Sequence, residues 1–136
     1  MTADPLIEAL AATVADTAEP VREEDRRALS RLLPTIEERA AAERISFDED
    51  RRLALAVHAL GFVRRVRVGE HLDALDPTVA DEITPGPLAA ARELIDAYGA
   101  PLDHAAHATE VVLLALHFET ARQLQERAPA PQNAQT

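Results

Sequence analysis

Several residue types that carry chemistry in other proteins are missing from this chain of 136 residues. There is no cysteine, which excludes disulfides and thiolate chemistry and leaves only histidine and carboxylate side chains as zinc ligands. Every apolar run is much shorter than the roughly 20 residues that a membrane-spanning helix needs. No signal sequence opens the chain. We therefore expect a cytoplasmic protein that does not enter the membrane.

Lysine is also absent, so all 14 basic side chains are arginines, which suit carboxylate or phosphate partners. The formal net charge of −10 opposes non-specific binding to nucleic acid, which depends on neutralising phosphates. The one candidate for a local basic patch is Arg64-Arg65-Val66-Arg67. We interpret this run mainly as a solvated helix end whose charges suit the helix dipole, and we rank nucleic-acid binding last.

Aromatic residues make up only 3% of the chain and there are only four glycines, which favours helices packed on helices. We predict an all-α protein, a compact helical bundle of about five helices with an extra N-terminal helix. The domain organisation that we expect is an N-terminal helix in residues 1–21, a helical domain in 22–127 and a disordered tail in 128–136.

Helical periodicity and capping residues place the predicted helices. We expect them at about residues 5–19, 22–44, 48–68, 88–98 and 105–127, with a short helix or turn at 71–80. Pro34 should kink the second helix or divide it near Leu33. Gly69 should end the third helix in a left-handed conformation, and Pro77 should break the short segment.

Two of the five histidines, His58 and His117, lie inside apolar helices, where a polar ring costs about 1–3 kcal/mol unless it finds a partner. They could be ordinary core histidines. However, Gly61 follows His58 by one turn and should leave its ring uncovered, and Arg65 follows by two turns on the same face. A neutral, accessible imidazole near a guanidinium suits a phosphoryl acceptor.

His104 and His107 stand three residues apart, a spacing that allows both ring nitrogens to bind one metal ion. No third ligand stands at a defined spacing, although Asp103 and Glu110 are near. We keep a metal-binding helical protein as a further alternative and expect no cofactor. His71 is interpreted as an exposed turn residue.

The segments around His58 and His117 resemble the two signatures of a known family, the PTS regulation domain (PRD) of sugar-responsive antiterminators and activators. The first PRD signature has a histidine, an arginine seven positions later and a glycine eleven positions later, here His58, Arg65 and Gly69. The second has an acidic residue seven positions before a histidine, here Glu110 and His117. The resemblance covers about residues 25 to 125.

The resemblance implies a dimeric helical bundle whose histidines receive phosphate from the phosphocarrier HPr or an enzyme IIB component of the phosphotransferase system. His58 and His117 would be the phosphorylation sites, and Arg65 and Glu110 would support the phosphate. The chain would then be a stand-alone regulatory module and not an enzyme, acting by homodimerisation or partner binding in transcription regulation. Val57 departs from the family pattern, which keeps open a non-switching interaction module with the same fold.

Overall fold

The computed structural model describes residues 6–7, 20–72, 77–102 and 108–127. Four α-helices lie in these ranges: α1 (Glu23–Ala42), α2 (Glu49–Val68), α3 (Pro85–Gly99) and α4 (Ala108–Arg127). Two 3-10 helices, Pro77–Glu82 and Ala100–Leu102, flank α3, and the described ranges contain no strand. The all-α prediction is confirmed, with a helix count that differs slightly from the prediction.

The closest packing joins α1 to α2, α2 to α4, α4 to α3 and α3 to α1, so the four helices form a ring around one core. The largest side chains that are fully buried there are Phe62, Phe118, Leu29, Leu33 and Leu55. Leu6 and Ile7 are helical and buried with them, whereas the rest of the predicted N-terminal helix and the predicted tail lie outside the described residues. None of the helices in the described ranges is long and apolar enough to cross a membrane.

The ends of α2 follow the sequence signals. Asp48 accepts a hydrogen bond from the backbone N–H of Arg51 at 2.7 Å, as an N-cap residue should. Gly69 ends the helix with φ of 73°, the left-handed conformation that a residue without Cβ adopts at little cost. The predictions for both ends are therefore confirmed.

Of the two outcomes predicted for Pro34, a kink or a division, the division is excluded, because α1 is continuous from Glu23 to Ala42. Both Pro34 and Ser30, whose carbonyl loses its helical donor, are exposed, so water can satisfy that carbonyl. Pro77 begins a 3-10 helix where we expected a break.

The start of α3 is also corrected, because this helix begins at Pro85, three residues before the predicted Leu88. Prolines are tolerated in a first turn because the N–H groups there have no intrahelical acceptor. Thr84 precedes this turn, and its backbone N–H and hydroxyl both donate to Oε1 of Glu119 on α4, at 3.1 and 2.6 Å. That carboxylate ties the start of α3 to the middle of α4.

The loop between α1 and α2 is also tied to α4. Gln125 accepts from the backbone N–H of Ser46 at 2.7 Å and donates to the carbonyl of Arg44 at 3.0 Å. Near the same end, the rings of Phe47 and Phe118 pack with centroids 5.9 Å apart. These contacts fix the register of α2 against α4.

A candidate functional site between two antiparallel helices

The two histidines of the sequence prediction meet where α2 packs against α4. The rings of His58 and His117 have centroids 5.1 Å apart and planes inclined by 39°. Both residues are half-buried, and His58 is the more deeply buried of the two. The structure thus brings together two residues that are far apart in the chain.

Burial keeps both imidazoles neutral. The pKa of His58 is lowered to about 3, mainly by burial and further by His117 and Arg65. The pKa of His117 is lowered by burial and by the charge of Arg51. Neutral rings carry the free electron pair that a nucleophile needs at pH 7.

The Nε2 atom of His58 is buried and has no hydrogen-bond partner among the residues that the structure describes. The neighbouring cavity is apolar and only about 10 Å³ in volume, so it does not supply polar partners for a bound water. An unpaired polar atom in such a place is uncommon in folded proteins and calls for an explanation, such as a catalytic or modifiable role.

Arg65 and Glu110, which we predicted to support a phosphate, bind each other two helical turns from the histidines. Arg65 donates from Nε to Oε2 of Glu110 at 2.6 Å and from Nη2 to Oε1 at 2.9 Å. The side chain of Glu110 is only 1% exposed and that of Arg65 is 18% exposed. This is a bidentate, charge-assisted pair, the stronger kind of hydrogen-bonded contact.

The role of Gly61 differs from the prediction. We expected its missing side chain to uncover His58, but the guanidinium of Arg65 lies over it. A Cβ on Gly61 would be 3.0 Å from Nη1 of Arg65. Because arginine side chains on a helix lean towards its N-terminus, Arg65 reaches back along α2 towards His58, and Gly61 provides the room.

The four residues have a regular arrangement. On α2, Arg65 follows His58 by seven residues, and on α4, Glu110 precedes His117 by seven. Since the helices are antiparallel, the two contacts lie two turns apart, roughly 10 Å along the helix axes at 1.5 Å per residue. The histidine contact and the ion pair therefore lie along the same interface between α2 and α4.

Sequence reasoning missed Arg51, which lies seven residues before His58 on α2. Its charge, after burial, lowers the pKa of His117 on the facing helix. Within the described ranges its guanidinium makes no hydrogen bond or ion pair. The register between α2 and α4 places it there, and one sequence alone does not disclose that register.

The basic run is not a solvated helix end, which corrects our interpretation. Arg64 and Arg67 both donate to the fully buried carboxylate of Asp25 at the start of α1, at 2.9 and 2.8 Å. Burial would raise the pKa of Asp25, but hydrogen bonds from the backbone N–H of Arg22 and from both guanidinium groups outweigh it and lower the pKa. These arginines therefore fasten α1 to α2 and are not free for a phosphate backbone.

The metal-binding alternative gains no support. His104 and His107 lie outside the described residues. In the part of the chain that the structure describes, no group of three histidine or carboxylate side chains could hold a metal ion.

Comparison with known proteins agrees with this geometry. The fold is similar to the crystal structure of a PRD-containing transcription regulator from Lactobacillus casei ATCC 334, with a TM-score of 0.68 and 25% sequence identity. The alignment covers 85% of this chain and 94% of that one. The chain has a PRD-like fold. No protein-family profile and no curated protein gives a significant match to the sequence, so the structural likeness carries the assignment of a PRD-type module.

Proposed function

We propose that this PRD-type module is a non-enzymatic regulator in which His58 and His117 accept phosphoryl groups from a phosphocarrier of the HPr or enzyme IIB type. The observation that carries the proposal is the pair of neutral imidazoles in contact at 5.1 Å, with the guanidinium of Arg65 reaching towards them over Gly61. A neutral ring nitrogen and nearby arginines favour phosphoryl acceptance.

The reaction is a transfer between nitrogen atoms. A neutral ring nitrogen of the acceptor attacks the phosphorus of the carrier's phosphohistidine, the new N–P bond forms, and the carrier's N–P bond breaks with its electron pair returning to the carrier's imidazole. Nothing is oxidised or reduced. The modified side chain gains a charge of roughly −1.5 to −2.

The two acceptors differ in access. His117 is the less deeply buried ring and has Arg51 near it, whose guanidinium is unpaired within the described part of the chain. His58 is buried at Nε2, and its arginine is held by Glu110. Phosphorylation at His117 therefore precedes phosphorylation at His58.

The output of the module is a change in assembly or in partner binding. Val57, the neighbour of His58, is 44% exposed and apolar, and we propose that it belongs to a homodimer face. A phosphate beside that face alters dimer packing by repulsion between charges or by new arginine contacts.

Incubation of the purified protein with phosphoenolpyruvate, enzyme I and HPr, with and without an enzyme IIB, tests the proposal. We expect an acid-labile label that His117→Ala largely removes and His58→Ala partly retains. His71→Ala is the matched control, because His71 is exposed and outside the site. Absence of label on both His58 and His117 under all these conditions would refute phosphoryl acceptance.

A second candidate is a non-switching interaction module with the same fold. It is favoured by the burial of Nε2 of His58 and by the closed pair of Arg65 and Glu110. In that case His58→Ala and His117→Ala change stability, while partner binding does not respond to the phosphotransfer system. Binding that changes on phosphorylation of the wild-type protein excludes it.

A further inference from the structure

The guanidinium of Arg65 lies close enough to His58 to lower the pKa of its ring, yet a carboxylate already occupies it. Its Nε and Nη2 atoms both donate to Glu110, and Nη1 is turned towards Gly61. A phosphoryl group on His58 would therefore meet a guanidinium that reaches back to Gly61, three residues along α2, and is already bound to Glu110.

We propose that Glu110 is a built-in competitor for Arg65: a phosphoryl group on His58 takes the guanidinium from Glu110, and the first turn of α4 loosens as a result. This inference rests on the proposed function of His58. It assigns Glu110 a role opposite to phosphate support, since in the unphosphorylated protein it withholds Arg65.

The competition follows from charge and geometry. A phosphoryl group carries roughly −1.5 to −2 charges and three acceptor oxygens, against one charge and two oxygens for Glu110. Arg65 needs only side-chain rotation over Gly61, where no Cβ stands in the way.

The consequence falls on α4, because Glu110 lies in its first turn and is almost completely buried. A buried carboxylate that loses its partner must gain a proton, water or other donors. The first turn of a helix is its least constrained part, since its N–H groups have no intrahelical acceptors. Opening of that turn hydrates Glu110. Phosphorylation of His58 thus changes the structure two helical turns away, at the start of α4.

The side-chain Nε–Hε resonances of arginine in ¹⁵N-labelled full-length protein report the exchange directly. The protein is phosphorylated with HPr or with phosphoramidate, and ³¹P spectra identify the phosphohistidine. We expect the Arg65 resonance to shift when His58 is modified. The control is Arg52, which lies on the same helix as Arg65 and forms two hydrogen bonds to Glu37 of α1, and its resonance should stay in place. An unshifted Arg65 resonance beside phosphorylated His58 would overturn the inference.

Kinetics give a second readout. Glu110→Gln should raise the rate of His58 phosphorylation at least fivefold because Arg65 is no longer held by a charge, and Glu37→Gln is the matched control, expected to stay within twofold of wild type. A Glu110→Gln variant that folds and is modified no faster than wild type contradicts the proposal.

A third arm separates this inference from the proposed function. If HPr, an enzyme IIB and phosphoramidate all fail to modify the wild-type protein, phosphoryl acceptance is refuted. Competition is then judged in His58→Glu, which places a carboxylate at the same position. The Arg65 resonance must shift in that variant as well. If it keeps its wild-type position, a negative charge at position 58 does not take Arg65 from Glu110, and the inference is wrong.

Discussion

Because His58 stays neutral in the folded protein, the stability of the protein falls when the pH is lowered below 6.5. An exposed histidine, whose pKa is the same in the folded and unfolded chain, has no such effect. The pKa of His58 is lowered from 6.5 to about 3, mainly by burial and further by the neighbouring His117 ring and the guanidinium of Arg65. The unfolded chain takes up a proton below pH 6.5 while the folded chain does not. Stability present above pH 6.5 is therefore lost as the pH falls towards 3, by up to about 1.4 kcal/mol per pH unit.

Urea unfolding between pH 7.5 and 5 measures this dependence. The pKa of Glu119 is lowered to about 2, mainly by its hydrogen bond from Arg122. Its effect on the pH dependence of stability therefore falls below pH 5, outside the measured range. We expect His58→Gln to flatten the dependence on pH, His117→Gln to flatten it in the same direction, and His71→Gln to leave it unchanged. A slope that His58→Gln does not alter would mean that His58 is protonated in the folded protein.

Gly61 is the second residue whose effect can be measured alone. Alanine in a helix interior is usually about 1 kcal/mol more stable than glycine, but here its Cβ would be 3.0 Å from Nη1 of Arg65, which Glu110 holds in place. We expect Gly61→Ala to give less than half of the usual gain, or a loss.

The comparison that explains this result uses a second background. In the double variant Arg65→Met, Glu110→Gln, the guanidinium is gone and no buried charge is left unpaired, so Gly61→Ala should stabilise by about 0.5–1 kcal/mol. Urea unfolding of the four proteins gives the coupling. Equal gains in both backgrounds would show that Arg65 does not restrict this position.

At the scale of the helices, Asp25 holds the start of α1 on the end of α2. It accepts from the backbone N–H of Arg22 at 3.0 Å and from two guanidinium groups. Asp25→Ala removes all these bonds but leaves Arg64 and Arg67 partly exposed, so water can solvate them. We expect a loss of about 2–4 kcal/mol in the free energy of unfolding.

The neighbouring acid provides the control for Asp25. Glu24 is exposed and lies 3.5 Å from Arg67, and exposed pairs contribute about 1 kcal/mol or less. Glu24→Ala should therefore change the stability little in the same urea experiment. A loss for Asp25→Ala no larger than that for Glu24→Ala would show that the buried cluster does not hold α1.

The elements that sequence reasoning placed correctly are those with local signals. Asp48 and Gly69 mark the ends of α2 through capping chemistry that depends only on nearby residues. The start of α3 was placed too late because prolines were interpreted as loop residues, although the first turn accepts them. Its preceding residue, Thr84, is held by Glu119, a contact between distant parts of the chain that no local pattern contains.

The candidate site could also be predicted only in part. The resemblance of the two motifs singled out His58, Arg65, Glu110 and His117, and the structure brings all four to one face between α2 and α4. What the sequence did not disclose is that Arg65 and Glu110 bind each other and that Arg51 lies on the facing side of His117. Pairing of residues across two helices depends on their register, which is set by packing in the core.

For the whole molecule, the open question is assembly, and Val57 provides the test. The proposed homodimer face contains this exposed valine beside His58. Val57→Asp adds a charge where a dimer would exclude water, so we expect it to raise the dimer dissociation constant at least tenfold, about 1.4 kcal/mol. Sedimentation equilibrium over a range of protein concentrations measures this change.

Val68→Asp is the matched control, because Val68 lies at the far end of the same helix and is 66% exposed. Val68→Asp makes the same substitution and the same change in net charge as Val57→Asp. If general repulsion between the acidic chains does not weaken the dimer, the dissociation constant of Val68→Asp should stay within about twofold of wild type. Equal weakening by both variants would assign the effect to overall charge, and a wild-type protein that stays monomeric at all concentrations would contradict the dimer itself. A specific effect of Val57→Asp alone places the dimer face beside the histidines, where phosphorylation can act on it.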